Sequence, residues 1–199
     1  MSEHLYSQPG MVPHWSLNTV PNLIGLSGWA RSGKDTVADA ITEVYGHKKV
    51  SFATPLKQMA YAINPIVRVG LATERLQDVV NYMGWEKAKN IHEVRRFLQH
   101  LGTEARHHIG ADVWVDAAFQ DIHTGKRYVI SDVRFKNEAL AIQQVGGVLL
   151  RVDRPGVEAP NDHVSEHDLD DWDFDARVHN DGTLEDLGGT VILTLAGLG

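Results

Sequence analysis

The stretch Gly28-Trp29-Ala30-Arg31-Ser32-Gly33-Lys34-Asp35-Thr36 constrains the fold more than any other part of this chain. It satisfies G-x-x-x-x-G-K and lies between an apolar run, Leu23-Ile24-Gly25-Leu26, and the helical pattern of Val37-Ala38-Asp39-Ala40-Ile41. A strand, a glycine-rich turn and a helix in that order form a phosphate-binding loop. The glycines let successive backbone N–H groups turn toward one centre, the lysine reaches the terminal phosphates, and the helix N-terminus adds partial positive charge. Gly28, Ser32, Gly33 and Lys34 are therefore candidate phosphate contacts.

The residue after Lys34 departs from the usual pattern. A neutral hydroxyl normally stands there and faces Mg²⁺, whereas this chain has Asp35, with Thr36 next. Asp35 either binds the metal, directly or through water, or caps the helix while Thr36 contacts the metal side. Arg31 is the second unusual feature: a guanidinium inside the loop would lie over a transferring phosphate and grip it bidentately.

Downstream, the pattern predicts a helix from about Lys34 to Tyr45 that stops near Gly46, and a short strand over 49–53. Thr54 as cap and Pro55 in the first turn start a helix to about Ile63, with Lys57 on its first turns. Between Asn64 and Asn90 the periodicity weakens, leaving a helix around Glu74 to Met83. From His92 to Ile109 it returns: Val94, Phe97, Leu98, Leu101 and Ala105 share one buried face. Arg95, Gln99, Gly102 and Arg106 share a second stripe, with Arg96 and Thr103 at its edge. That stripe is either a solvated polar face or a grip for a phosphate and a base. Gly102 costs about 1 kcal/mol relative to alanine inside a helix, which predicts a ligand or a helix end at that point. Asp112 to Phe119 is helical again, with Trp114 either core or a stacking platform.

Arg127 to Asp132 is a strand whose apolar residues end in an acid. Ligands collect at the carboxyl ends of strands in doubly wound sheets, which makes Asp132 and Arg134 functional candidates, although Asp132 as a helix cap is equally simple. A helix over 137–145 ends at Gly146-Gly147, and Val148 to Val152 is the next strand. The acidic, proline-containing stretch that follows fits a lid over about 155–175 or a plain surface loop. Its His163, Glu166 and His167 match no zinc spacing. Thr183 to Leu187 is a short helix and Thr190 to Leu195 a final strand.

This alternation predicts an α/β fold, a parallel sheet of about five strands with helices on both faces. Residues 1–21 read as an extension and 22–199 as one domain; 199 residues also leave room for an inserted subdomain. The net charge of −7 argues against binding nucleic-acid polymers, which call for a basic surface. The absence of cysteine excludes thiolate chemistry and disulfides. No run is long and apolar enough for a membrane, and no signal-peptide pattern opens the chain, so the expected location is cytoplasmic.

Together the motifs resemble the deoxynucleoside monophosphate kinases of bacteriophages, a P-loop NTPase family similar in fold to the nucleoside monophosphate kinases and equipped with a lid. The matching pieces are Leu26 through Thr36, Val94 through Glu104, Trp114-Val115, Ser131-Asp132-Val133-Arg134 with Glu138, Val152 through Gly156, His163 through Glu166 and Asn180-Asp181-Gly182. They occur in the family's order over roughly residues 22 to 195. The resemblance implies transfer of the γ-phosphoryl group of ATP to a deoxynucleoside monophosphate, with Mg²⁺, for phage DNA precursor supply. It implies that Gly28, Arg31, Ser32, Gly33, Lys34, Asp35 and Thr36, with Arg154 of the lid, hold ATP. Lys57, Arg95, Arg96, Gln99, Gly102, Thr103, Trp114, Asp132, Arg134 and Glu138 would serve the acceptor. Arg31, Lys34, Asp35, Asp132 and Arg134 would act at the transferring group. It further implies small-molecule nucleotides as partners, a homodimer and the host cytoplasm. The segment from Asn64 to Asn90 diverges from the family, so the accepted bases are not implied. Two other readings stand beside it: a kinase resembling dephospho-coenzyme A kinase or phosphomevalonate kinase, and a nucleotide-responsive switch without transfer activity. The missing N-K-x-D signature counts against a regulatory GTPase.

Overall fold

A computed structural model describes residues 20–158 and 167–198. Expectations placed on residues 1–19 and on 159–166, the latter covering much of the first half of the proposed lid with His163 and Glu166, lie outside the described residues. The elements in chain order are β1 (Leu23–Ser27), α1 (Lys34–Tyr45), β2 (Lys48–Val50), α2 (Ala53–Ile63), β3 (Ile66–Val69), β4 (Ala72–Arg75) and α3 (Leu76–Ala88). They continue with α4 (His92–His108), α5 (Val113–Phe119), β5 (Tyr128–Ile130), α6 (Lys136–Gln144), β6 (Val148–Asp153), β7 (Ala176–His179) and α7 (Leu184–Ala196). The one domain expected over 22–199 separates into two compact units, the first formed by residues 20–50 with 124–198 and the second by 51–123.

The first unit is a five-stranded sheet in the order β2-β5-β1-β6-β7, and every pairing in it is parallel. β1 is central, and all five of its residues are buried because both faces of the sheet are covered. Ile24 and Leu26 point into a cluster with Val37 and Ile41 of α1 and Leu187, Val191 and Leu195 of α7. Between them Gly25 faces the other side, where a Cβ would stand 2.7 Å from Ile142 of α6. α1 has the expected bounds, and Gly46 ends it in the left-handed conformation with its N–H on the Thr42 carbonyl.

One expectation for this unit is corrected. The predicted final strand over 190–195 is helical: Leu187, Val191 and Leu195, spaced by four, bury one stripe of α7. Val-Ile-Leu-Thr-Leu has β propensity, and tertiary packing overrides it. Residues 167–175, read as part of a lid or a plain surface loop, are turn and loop bonded back to the sheet and α6, and they lead into β7, a strand the sequence did not reveal. The Lys136 N–H donates to Asp168 (2.7 Å), Lys136 pairs with Asp171 (2.9 Å), and the Leu149 N–H donates to Asp175 (2.7 Å).

The second unit packs α2, α3, α4 and the β3–β4 hairpin around Ala60, Val67, Leu76, Val79, Ala88, Val94 and Leu98. The hairpin was not foreseen, since all of β4 is exposed and only Val67 of β3 is buried, which leaves no clear alternation. α2 starts one residue before the predicted Thr54 cap, and the Ala53 N–H donates to Ser51 Oγ (3.1 Å). α4 runs straight through Gly102 to His108, so no helix end accounts for that glycine. Gly102 is buried against Leu56 of α2, whose Cδ2 would be 3.6 Å from a Cβ placed there.

Candidate active site

The loop between β1 and α1 leaves the carboxyl end of the central strand and carries three positive φ angles: 143° at Gly28, 70° at Arg31 and 101° at Gly33. A Cβ on Gly28 would lie 2.4 Å from the Val152 carbonyl oxygen, so only glycine fits against β6. Arg31 holds the left-handed conformation without being glycine, at a cost on the order of 1 kcal/mol or more, and its side chain is exposed. Successive peptide groups turned this way form a concave set of N–H donors suited to an anion. Lys34 Nζ donates to the Gly28 carbonyl (2.6 Å) and the Trp29 carbonyl (2.7 Å), which bends its ammonium back over the loop.

Asn180, directly after β7, steadies the loop from outside. Its Nδ2 donates to the Ser32 carbonyl (2.8 Å), and its own N–H donates to the Asp153 carbonyl (2.8 Å). Because a trans peptide sets C=O and N–H on opposite sides, holding the Ser32 carbonyl outward aims the Gly33 N–H away from Asn180.

Asp35 does not cap α1, which has Gly33 at its N-cap and no side-chain cap bond. Its carboxylate pairs with Lys49 Nζ (3.1 Å) and bonds the Ser131 side chain, while Lys49 also pairs with Asp39 (3.0 Å). Partial desolvation pushes the Asp35 pKa up, but Lys49, Ser131 and Lys34 outweigh it and hold the carboxyl below its ordinary value. The same pairs, working against desolvation, hold the Lys49 ammonium above its ordinary value. The Asp35 side chain remains 82% exposed, and Thr36 beside it is exposed. A carboxylate with two neighbouring hydroxyls is a hard oxygen donor set, which fits Mg²⁺.

The carboxyl end of β5 lies beside that of β1, and the Val133 N–H donates to the Leu26 carbonyl (3.1 Å). Asp132 and Arg134 are half-buried there. Glu138 is corrected. It is 2% exposed and accepts from the backbone N–H groups of Arg134 (2.8 Å) and Phe135 (3.1 Å), so it caps the start of α6 instead of facing a ligand. Arg154 is exposed just after β6.

In the second unit, Lys57 lines an open cavity of about 520 Å³ with Thr54, Gln58, Tyr61 and Trp85. Arg96 opens on another, of about 420 Å³, with Pro65, Val67, Glu93 and His100 among its walls. Along α4, Gln99 and Thr103 are exposed, Arg95 Nε donates to the Lys89 carbonyl (3.2 Å), and Arg106 Nη1 leans on the Gly102 carbonyl (3.4 Å). Trp114 takes the core alternative. It is 3% exposed and its indole N–H donates to the Gly102 carbonyl (3.1 Å), which leaves no open ring face for stacking. Lys49, Ser131 and Asn180 escaped the sequence reading as site residues, although Lys49 lies within β2 and Ser131 and Asn180 directly follow β5 and β7 of the parallel sheet.

A parallel sheet with a lysine-bearing, glycine-rich loop at the end of its central strand defines a P-loop nucleotide-binding protein. The profile of the family described as deoxynucleotide monophosphate kinase matches residues 69–191, more than half of the chain. The chain belongs to the deoxynucleotide monophosphate kinase family. It is 27% identical over 236 aligned positions to the deoxynucleotide monophosphate kinase of Enterobacteria phage T4, covering 87% of this chain and 98% of that protein. A protein of Acanthamoeba polyphaga mimivirus assigned to the same kinase activity is 29% identical over 192 positions, covering 85% of this chain and 94% of the relative. Among solved structures, the dephospho-CoA kinase from Campylobacter jejuni aligns over 89% of this chain and 97% of its own, with 11% identity and a TM-score of 0.43.

Proposed function

We propose that the protein transfers the γ-phosphoryl group of ATP to a deoxynucleoside 5′-monophosphate, releasing ADP and the deoxynucleoside diphosphate. The observation that carries this reading is the loop itself, with Lys34 bent over its own carbonyls at the end of β1, in a chain of this family. ATP phosphates lie along the N–H groups of residues 28–36, and Lys34 exchanges its loop carbonyls for β- and γ-phosphate oxygens. Asp35 and Thr36 hold Mg²⁺, whose charge when bound offsets that of the phosphate oxygens. Lys49 keeps Asp35 ionised and oriented toward that task.

An acceptor phosphate oxygen attacks the γ-phosphorus in line and ADP leaves, so no protein nucleophile is needed and the chain's work is positioning and charge neutralisation. Arg31 covers the transferring group, with Asp132 and Arg134 orienting it from the end of β5. Arg154 adds positive charge on the ATP side. Lys57, Arg95, Arg96, Gln99 and Thr103 serve the acceptor. Gly102, Trp114 and Glu138 support the fold and touch no substrate.

The test is ADP release by wild type and Lys34→Ala with ATP, Mg²⁺ and a deoxynucleoside monophosphate. Loss of turnover with an unchanged circular dichroism spectrum is expected. Retained turnover in a folded variant contradicts the reading.

A further inference from the structure

Arg151 lies within β6 and is 7% exposed, and the proposed transfer chemistry does not use it. Its neighbours along the strand, Leu150 and Val152, belong to the cluster under α1 and α7, so alternation turns the Arg151 side chain to the opposite face of the sheet. In register it stands beside Ser27, the last residue of β1 before the phosphate-binding loop. Its guanidinium carbon is 5.3 Å from the ring centre of Trp29, inside the loop, and 5.7 Å from that of Phe174. Both lie within the distance of about 6 Å over which an aromatic face attracts a cation.

Two carboxylates balance the buried charge. Arg151 Nε pairs with Asp153 Oδ1 (3.3 Å) and Nη2 with Asp170 Oδ1 (3.7 Å). Arg177 meets the other oxygen of Asp153 (2.8 Å) and lies 6.0 Å from the Phe174 ring. A guanidinium suits this position, because its plane can lie against a ring while its edge meets carboxylates. The indole N–H of Trp29 is enclosed and has no hydrogen-bond partner among the described residues, so the ring contact with Arg151 is what holds that side chain.

Trp29 acts on the loop through its backbone. Its carbonyl accepts from Lys34 Nζ (2.7 Å) and from the Ser32 N–H (3.1 Å), so the place of this one peptide group sets both the resting ammonium and the curl of the loop. We propose that Arg151 is a positioning residue for the phosphate-binding loop: held against Trp29 and Phe174 and neutralised by Asp153 and Asp170, it fixes the Trp29 peptide and through it Lys34. Arg151 touches no substrate. The assignment rests on the reading of residues 28–36 as the cradle for nucleotide phosphates. It gives the loop two supports, Asn180 at Ser32 and Arg151 at Trp29. A loop fixed before the nucleotide arrives has less freedom to lose on binding, so weakening this support lowers nucleotide affinity and spares the acceptor.

The experiment is calorimetric titration of the full chain with ADP and Mg²⁺, and separately with dAMP, dGMP, dCMP and dTMP. The proteins are wild type, Arg151→Met, Trp29→Leu, Trp29→Phe and the double variant Arg151→Met with Trp29→Leu. Arg151→Met keeps length and bulk without the charge, and should raise the ADP Kd on the order of tenfold while leaving the deoxynucleotide Kd within about twofold. Trp29→Leu should match it, and Trp29→Phe, which keeps a ring face for the cation, should recover most of the loss. The double variant should stay within about twofold of the weaker single variant, because both substitutions remove the same contact. Losses that multiply in the double variant overturn the proposal, since Arg151 would then act by a route that bypasses Trp29. An unchanged ADP Kd in folded Arg151→Met overturns it, and so does equal weakening toward ADP and deoxynucleotide. If Arg151→Met does not fold, Arg151→Lys, which keeps a charge for the two carboxylates and loses the planar face, takes its place with the same outcomes deciding. If neither folds, Trp29→Leu and Trp29→Phe decide: an equal ADP Kd in the two overturns the proposal, and recovery by phenylalanine supports it. A wild type that binds ADP yet phosphorylates no deoxynucleotide refutes the kinase reading and leaves these ADP affinities to decide the role of Arg151, whereas a folded wild type that binds no ADP refutes both.

Discussion

Arg31 is the residue whose backbone carries strain for a purpose the side chain can explain. Its left-handed conformation projects the guanidinium from the loop, and a positioned cation aimed at charge that grows in the transition state acts on kcat. Arg31→Ala is expected to lower kcat on the order of 10²-fold; a change confined to the ATP KM would make it a binding residue only. Asn180 acts one step back, through the Ser32 carbonyl, so Asn180→Ala should raise the ATP KM more than the acceptor KM. For Glu138 the expectation is the reverse of a substrate contact. Glu138→Ala strands two backbone N–H groups, costing roughly 1–3 kcal/mol in thermal unfolding, with acceptor KM unchanged. At this scale the loop was legible because its chemistry is contiguous in sequence. Glu138 and Trp114 were not, since a short polar or aromatic motif does not reveal that long-range packing encloses it. Asn180 was missed as a partner of the loop because 148 residues separate it from Ser32.

At the scale of elements, α7 is held at its start by a reciprocal cap. Thr183 Oγ1 accepts from the Asp186 N–H (3.2 Å), and Asp186 accepts from the Thr183 N–H (2.8 Å). The Thr183 hydroxyl, donating to Asp186 Oδ2 (2.7 Å), and then the Thr183 N–H hold the Asp186 carboxyl below its ordinary value. Thr183→Ala should cost about 1 kcal/mol, and thermal melting should show it as a drop of a few degrees. α7 lies on the cluster that also buries α1, so a melting point indifferent to the cap would mean that packing alone fixes the helix. Elements with a strong single period were legible: β1, α1, α4 and β6 were found within a few residues. Those with mixed signals were not. β3 and β4 lie largely exposed, β7 follows an acidic stretch without alternation, and α7 carries Gly188-Gly189 and a β-prone Val-Ile-Leu-Thr-Leu run inside its helix.

For the whole molecule, pH and activity are the two readouts that integrate these parts. His47 is 1% exposed, with Nε2 2.9 Å from the Pro21 carbonyl oxygen. Burial pushes its pKa down and Arg127 adds to that, while the Pro21 carbonyl opposes it. A depressed folded-state pKa means the unfolded chain takes up the proton first, so stability is full above the ordinary value of 6.5 and declines as pH falls below it. Melting temperature should therefore drop between about pH 6.5 and 5, and His47→Gln should flatten that limb; an equal slope in the variant would assign the effect to other groups. The central claim, that the loop of residues 28–36 drives phosphoryl transfer to a deoxynucleotide, is tested most directly by coupled ADP production. The assay uses ATP and Mg²⁺ with dAMP, dGMP, dCMP and dTMP in separate wells, and ribonucleotides beside them. The account predicts ADP release that requires a deoxynucleotide and disappears in Lys34→Ala. Silence in every well from a folded protein that still binds ATP would contradict it.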